Sequence, residues 1–102
     1  MGFGNLAKMA QQMQTEMARV QAELDVLTVD GSAGGGAVRA TVSGKQELLA
    51  IAIDPEVVDP ADVEMLQDLV MAAVNDALDG AKAEAEQRMA AVTGGMRLPG
   101  MG

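Results

Sequence analysis

A glycine-rich segment of the sequence has residue types that could bind phosphate. The segment, DGSAGGGAVRATVSGKQ, spans residues 30–46 and ends near a Gly-Lys pair. A phosphate-binding loop needs a glycine five residues before the Gly of that pair and Ser or Thr after the Lys, but Arg39 and Gln46 occupy those places. The dinucleotide pattern fails too, because its third glycine position falls on Arg39 and a strand pattern follows where that motif opens a helix. The segment is therefore interpreted as the turns of a small sheet.

A cluster of acids raises the separate question of a Mg²⁺ or Ca²⁺ site. Its members are Asp54, Glu56, Asp59 and Asp62. Their spacing does not match the alternating ligands of a calcium loop, and the glycine at the sixth loop position is missing. Helix caps and first-turn acids favoured by the helix dipole account for them. The sequence also has no His and no Cys, so we expect no metal, no cofactor and no enzymatic activity.

The basic residues are candidates for contacts with nucleic-acid phosphates. The net charge is −8, which by itself argues against nucleic acid as a partner. However, residues 54–79 hold eight acids and no base, whereas residues 1–22 and 80–102 each sum to +1. If both terminal segments project from an acidic body, their bases can meet phosphates. These bases are Lys8, Arg19, Lys82, Arg88 and Arg97. Phe3 is the only aromatic residue, which excludes stacking of several bases on aromatic side chains.

The periodicity predicts a long helix at each end of the chain. Residues 6–27 contain no Gly or Pro, and residues 3–27 have apolar residues in two adjacent rows of period seven, as in a coiled-coil seam. The rows are Leu6, Met13, Val20 and Leu27, and Phe3, Ala10, Met17 and Leu24. A second helix is expected to have Asp59 as its N-cap and Pro60 in its first position. Its apolar residues form a wide stripe from residue 63 to 81. Gly80 is expected to kink or loosen it.

Between the helices the pattern predicts three antiparallel strands. Residues 38–43 alternate apolar and polar side chains, and residues 47–54 are rich in branched apolar side chains. Gly44 is expected to supply a positive φ in the turn between them. A shorter strand at 28–32 completes an α-β-β-β-α order, an α+β fold with a three-stranded antiparallel sheet. We expect one domain at 1–92, a disordered tail at 93–102 and a homodimer, since 102 residues bury a modest core.

The order and spacing of several segments resemble the YbaB/EbfC family of bacterial nucleoid-associated proteins. The segments are GNLAKMAQQMQ, GSAGGGAVRATVSGK, AIAIDPEVVDP, EMLQDLVMAAVNDAL and TGGMRLPGM. The resemblance implies an αβββα monomer in a tweezer-like homodimer whose projecting helices contact duplex DNA. It further implies altered DNA conformation, with roles in nucleoid organisation, DNA protection and gene regulation, and no catalytic activity.

Two departures from the family pattern leave an alternative open. Leu49 and Ala52 stand where the family often has lysines, and Asp79-Gly80 stands where a basic residue is common. The alternative is an acidic, Met-rich dimer that docks a protein partner, such as a replication or repair factor. No signal peptide and no apolar run long enough for a bilayer is evident. We therefore expect a cytoplasmic, nucleoid-located protein with no membrane partner and no small-molecule substrate.

Overall fold

The fold consists of two long helices joined by a three-stranded sheet. A computed structural model describes residues 2–94, with side chains described for residues 4–92. The elements are helix α1 (Gly2–Val26), strands β1 (Thr28–Ala33), β2 (Val38–Ser43) and β3 (Leu48–Ile53), a 3₁₀ turn (Pro55–Val57) and helix α2 (Val63–Gly94). The sheet is antiparallel with the order β1-β2-β3. The predicted α+β class and αβββα order are confirmed.

The core lies between α2 and the first two strands. Three residues of β2 and three alanines of α2 are fully buried against one another, namely Val38, Ala40, Val42, Ala73, Ala77 and Ala81. The alanines let the helix axis come close to the sheet. At Gly31 of β1 the approach is closest, since a Cβ there would lie 2.2 Å from the backbone nitrogen of Ala77. Helix α2 therefore covers β1 and β2, while every residue of β3 is exposed.

Two predictions about the turns have different outcomes. Gly34, Gly35 and Gly36 all have positive φ (64°, 69° and 95°), so the glycine run is a structural turn, as predicted. The prediction of a positive φ at Gly44 is wrong, because the residue with positive φ in that turn is Gln46 (66°). Gly44 is instead required by packing, since a Cβ there would lie 2.7 Å from the carbonyl oxygen of Leu24.

The predicted start of the second helix is also corrected. Asp59 accepts a hydrogen bond from the backbone N–H of Ala61 (2.9 Å), which closes a turn before the helix. Helix α2 begins at Val63, and Asp62 accepts from the N–H of Met65 (3.1 Å). Asp62 is therefore the residue that caps α2. The two residues between Asp59 and Asp62, Pro60 and Ala61, form an extra turn that the Asp-Pro signal does not reveal.

Helix α1 packs against α2 only over its second half. Val20 and Leu24 are buried against Val92 at the end of α2, whereas Leu6 near the start of α1 is 61% exposed. Because α2 ends at Gly94, the first half of α1 extends past it, and the described chain measures 72 × 26 × 16 Å. Within residues 2–94, neither helix is long and apolar enough to cross a membrane.

Helix α2 is unbroken at Gly80, where the sequence predicts a kink or a loosened turn. The helix is continuous from Val63 to Gly94, so the expected kink at Gly80 is not observed. A Cβ at Gly80 would lie 3.0 Å from the side chain of Val29, and the glycine thus accommodates the close packing of α2 on β1. Residues 93 and 94 of the predicted tail are helical, and residues 95–102 lie outside the described part of the chain.

Candidate nucleic-acid interface

The predicted phosphate contacts lie on the two helices that extend from the sheet. Lys8 is exposed on the first half of α1, and Lys82 is exposed on the outer side of α2. Among the described residues, neither ammonium group takes part in an ion pair that the structure shows. Both are therefore available to an approaching phosphate. Arg97 lies outside the described residues.

Arg19 and Arg88 are joined by a chain of ion pairs that connects the helices. Arg19 binds Glu16, and its Nη1 donates to Glu23 Oε2 at 2.5 Å. The second carboxylate oxygen of Glu23 accepts from Arg88 Nη1 at 2.8 Å across the helix interface, and Arg88 Nε donates to Glu84 Oε1 at 3.0 Å. Three carboxylates and two guanidinium groups thus form one network, which we call the Glu23 network, with a net charge of −1.

The Glu23 network occupies both of its guanidinium groups, which makes them less accessible to phosphate. The hydrogen bonds that Arg19 donates to Glu16 raise the pKa of Arg19, and those that Arg88 donates to Glu84 and Glu23 raise the pKa of Arg88. Both side chains remain charged, but a phosphate must displace a carboxylate to reach them. Because the side chains are partly solvent-exposed, such pairs are individually weak. The sequence pattern placed both arginines correctly on the helices without revealing these partners.

A polar cleft lies between the end of α2 and residues 8–16 of α1. Its volume is about 850 Å³. The lining residues are Lys8, Gln11, Gln12, Met13, Gln14, Thr15, Glu16, Ala91 and Val92. Amide and hydroxyl groups donate hydrogen bonds to phosphate oxygens without adding charge. These glutamines are not among the phosphate contacts predicted from the sequence. Their run beside Lys8 was the signal that could have identified them as candidate contacts.

Arg39 lies on the sheet rather than on a helix. It is exposed on the outer face of β2, paired in register with Ser32 on β1 and Ala52 on β3. Within the described residues the structure shows no ion pair for it. Arg39 is thus a further available cation, although it lies away from the two helices.

The acids of residues 54–79 accept hydrogen bonds from backbone N–H groups or face solvent. Asp54 accepts from the N–H of Glu56 at 3.0 Å, and Asp59 and Asp62 make the turn and cap bonds described above. Asp76 of α2 accepts from the N–H of Ser32 at 3.0 Å. In the described part of the chain, no three acidic residues converge on a position that could hold a metal ion. Turn and cap bonds to the backbone therefore account for three members of the acid cluster, Asp54, Asp59 and Asp62.

Comparison with known proteins agrees with this arrangement of helices and sheet. The model of the YbaB/EbfC DNA-binding family matches residues 1–96. The chain belongs to this family. A nucleoid-associated protein of Alkaliphilus metalliredigens is 55% identical over 99 residues, covering 97% of this chain and 87% of that protein. A nucleoid-associated protein of Moorella thermoacetica is 54% identical over 103 residues, covering 98% and 99% of the two chains.

A solved structure shares the fold of this YbaB/EbfC family member. An uncharacterized protein of Helicobacter pylori superposes with a TM-score of 0.74 at 24% identity, covering 95% of this chain and 99% of that one. At this identity the likeness concerns the fold alone. The family match includes both long helices as well as the sheet, and the family is described as DNA-binding.

Proposed function

We propose that this protein is a nucleoid-associated protein that binds duplex DNA as a homodimer in the bacterial cytoplasm. The observation that carries the proposal is the family match over residues 1–96, which includes both extended helices. The relatives named nucleoid-associated proteins cover nearly the whole chain. The further roles in nucleoid organisation, DNA protection and regulation of gene expression rest on the same family membership.

The distribution of charge favours DNA contact at the extended helices. The eight acids of residues 54–79 have no basic residue among them, so this segment repels phosphate and faces away from a bound duplex. Lys8, with the neutral donors of the polar cleft, and Lys82 are the strongest candidates for contact. Arg19 and Arg88 contribute where phosphate replaces the carboxylates of the Glu23 network. Arg97 is an additional predicted contact.

The contacts available on the helices suit the DNA backbone more than the base edges. Lysine and glutamine side chains on an exposed helix can bind phosphate in any sequence. The three strands separate the two long helices in the chain, so the helices do not form a helix-turn-helix unit. Binding therefore discriminates little between DNA sequences. Two pairs of helices that hold separate points on one duplex would alter its conformation.

The exposed strand β3 supports the dimer. Ile51 and Ile53 share a face with the buried Ala40 and Val38 of β2, yet they are 41% and 39% exposed because α2 does not extend over them. Leu48 and Leu49 add further exposed apolar surface. A contiguous apolar strand at a sheet edge is rarely left open to water.

The backbone of β3 favours a second copy as the partner that covers it. The N–H of Asp54 donates to the carbonyl of Ala37 at 2.8 Å, so the alternation of an antiparallel ladder points the backbone groups of Ile51 and Ile53 away from β2. A two-fold pairing through β3 satisfies these groups and buries the isoleucines of both copies. The four long helices then extend from one shared body, in the tweezer-like form that the family resemblance implies.

The experiment that tests DNA binding is a titration of unrelated duplexes at two salt concentrations, read by fluorescence anisotropy. Lys8→Glu and Lys82→Glu should each weaken binding to all duplexes similarly. Each phosphate contact removed should reduce the slope of log affinity against log salt by about 0.9. Lys45→Glu is the matched control, because Lys45 lies in the β2–β3 turn and pairs with Asp25 at 2.8 Å.

Three results separate the possible interpretations of this titration. Weaker binding by the helix variants and parental binding by Lys45→Glu would support the proposed interface. Equal loss in all three variants would indicate a general effect of charge and contradict the assigned contacts. No binding by the parent protein at low salt would overturn the DNA-binding proposal itself.

A further inference from the structure

The flank of α2 on its β1 side carries an exposed apolar groove with an acidic rim. Its volume is about 510 Å³, which is within the range of pockets that take large ligand groups. Met65, Leu69 and Ala72 form the apolar surface, and Asp62, Glu64 and Asp68 surround it. We call this feature the Met65 groove. Met65 is 39% exposed, so its side chain is available to a partner.

Two contacts locate the Met65 groove on the side of the molecule away from β3. Leu69 lies over the β1–β2 turn, where a Cβ at Gly34 would be 3.0 Å from its side chain. Asp76 reaches the backbone of Ser32 on the same strand. Met65 lies one turn before Leu69, and Ala72 lies one turn before Asp76. Both therefore lie on the same flank of the helix as Leu69 and Asp76. A dimer that pairs through β3 leaves the groove open.

The rim of the groove has uncompensated negative charge. Asp62 binds the N–H of Met65, and for Glu64 and Asp68 the structure shows no ion pair with any described residue. No base occurs in residues 54–79. In the described chain no three acids converge to hold a metal ion. The charge is thus spread along the groove, which suits a cationic chain of several residues better than a single ion.

We infer that the Met65 groove docks a lysine- or arginine-rich amphipathic helix of another protein, with a large apolar side chain inserted between its charges. Methionine adapts to apolar side chains of different shape, and apolar anchors of an amphipathic helix at helical spacing commonly fill such grooves. The acidic rim attracts the partner's basic residues and speeds the encounter. This inference concerns a separate surface and does not depend on DNA binding.

Other occupants fit the groove less well. A second copy of this chain would bring its own acidic rim against this one, and duplex DNA would meet the same repulsion from its phosphates. A basic helix gains from both the charge and the apolar floor. Proteins bound near DNA commonly carry such basic segments, so the groove would let the body recruit a neighbour while the helices hold the duplex.

The test uses a synthetic 15-residue helical peptide with Leu and Lys arranged so that the leucines form one face. Binding to the full-length protein is measured by fluorescence anisotropy near physiological salt. A peptide of the same composition in scrambled order retains the charge but has no apolar face. The amphipathic peptide should bind, and the scrambled peptide should bind at least about tenfold more weakly.

Two pairs of variants distinguish the groove from general acidity. Glu64→Lys with Asp68→Lys should weaken peptide binding at least about tenfold. Glu56→Lys with Glu86→Lys changes the net charge equally at exposed positions outside the groove and should leave binding within about twofold of the parent. Met65→Gln should also weaken binding, whereas Met71→Gln, at a 61% exposed methionine of the same helix that does not line the groove, should not.

Circular dichroism and sedimentation of each variant establish that fold and oligomeric state are unchanged. The inference is overturned if the two charge variants weaken binding equally, if Met65→Gln and Met71→Gln behave alike, or if the scrambled peptide binds as well as the amphipathic one. Absence of peptide binding to the parent protein overturns it as well. Because no DNA is present, none of these outcomes bears on the DNA-binding proposal.

Discussion

The two edges of the sheet differ in how their outward backbone groups and side chains are covered. At the β1 edge, Asp76 binds the outward N–H of Ser32, and α2 packs so closely that Gly31 has no space for a Cβ. At the β3 edge, the backbone groups of Ile51 and Ile53 face outward, and their side chains lie beyond the cover of α2. At β1, a side chain of α2 binds one outward N–H, whereas β3 exposes outward backbone groups and apolar side chains together.

In the dimer proposed above, this difference would set the direction of association. An open edge pairs with any compatible strand, so closing one edge would leave a single direction for pairing. A two-fold contact at the remaining edge would end assembly at two copies, whereas two open edges would allow extended sheets.

The first prediction concerns the open edge. Ile51→Asp places a charge within the proposed contact and should convert the dimer to a monomer at micromolar concentration, as measured by sedimentation velocity. Ser32→Asp places the same charge in an exposed position on β1 and should leave the dimer intact. If both variants sediment as the parent does, β3 is not the dimer contact.

The second prediction concerns the closed edge. Gly31→Ala should lower the free energy of unfolding by about 3 kcal/mol, because its Cβ would meet the backbone of Ala73 and Ala77. Gly35→Ala is the control, since it has open space but a φ of 69°, and should cost about 1 kcal/mol. Chemical denaturation at fixed protein concentration measures both. A smaller loss at Gly31 than at Gly35 would show that α2 can move away from β1.

The third prediction concerns the side chain that closes the β1 edge. Asp76→Ala leaves the N–H of Ser32 to solvent and should cost about 1 kcal/mol of unfolding free energy. Light scattering should also show slow growth of larger species, because the second edge is then open. Asp79→Ala removes an acid of the same helix for which the structure shows no hydrogen bond, and should change neither measurement. Identical behaviour of the two variants would remove Asp76 from this role.

The smallest effect is expected between β1 and β2. Thr41 donates from Oγ1 to Asp30 Oδ1 at 2.8 Å across the outer face of the sheet. Thr41→Val should change the free energy of unfolding by only about 0.5 kcal/mol, since one exposed cross-strand pair is lost. Thr28→Val at an exposed β1 position serves as the reference in the same denaturation series. A loss above about 2 kcal/mol at Thr41 would show that this pair has a larger role in holding β1.

Much of the fold could be predicted because local patterns decide it. The period of seven in α1, the alternation of β2 and the three glycines of the turn each depend on neighbours in sequence. The start of α2 was misplaced from Asp62 to Asp59 because both positions offer an acidic cap, and Pro60 favoured the earlier one. The positive φ was assigned to Gly44 because glycine adopts it most readily, whereas Gln46 adopts it here.

The candidate interface could be predicted only in part, for a similar reason. The charge census identified which helices can approach phosphate, because charge adds up along the sequence. It could not show that Glu23 lies between Arg19 and Arg88, since that contact joins residues 65 positions apart. The availability of Lys8 and Lys82 likewise depends on what the folded chain places beside them.

Spacing and composition within single elements encode the helices, the strands and the segregation of the acids, so these features follow from the sequence. Packing between elements sets the rest: α2 covers β1 and β2 but not β3, Glu23 joins two arginines, and Gly31 and Gly44 are needed for close approach. These features depend on where a helix lies across a sheet. That position is set by packing between residues far apart in the chain, and no local pattern specifies it.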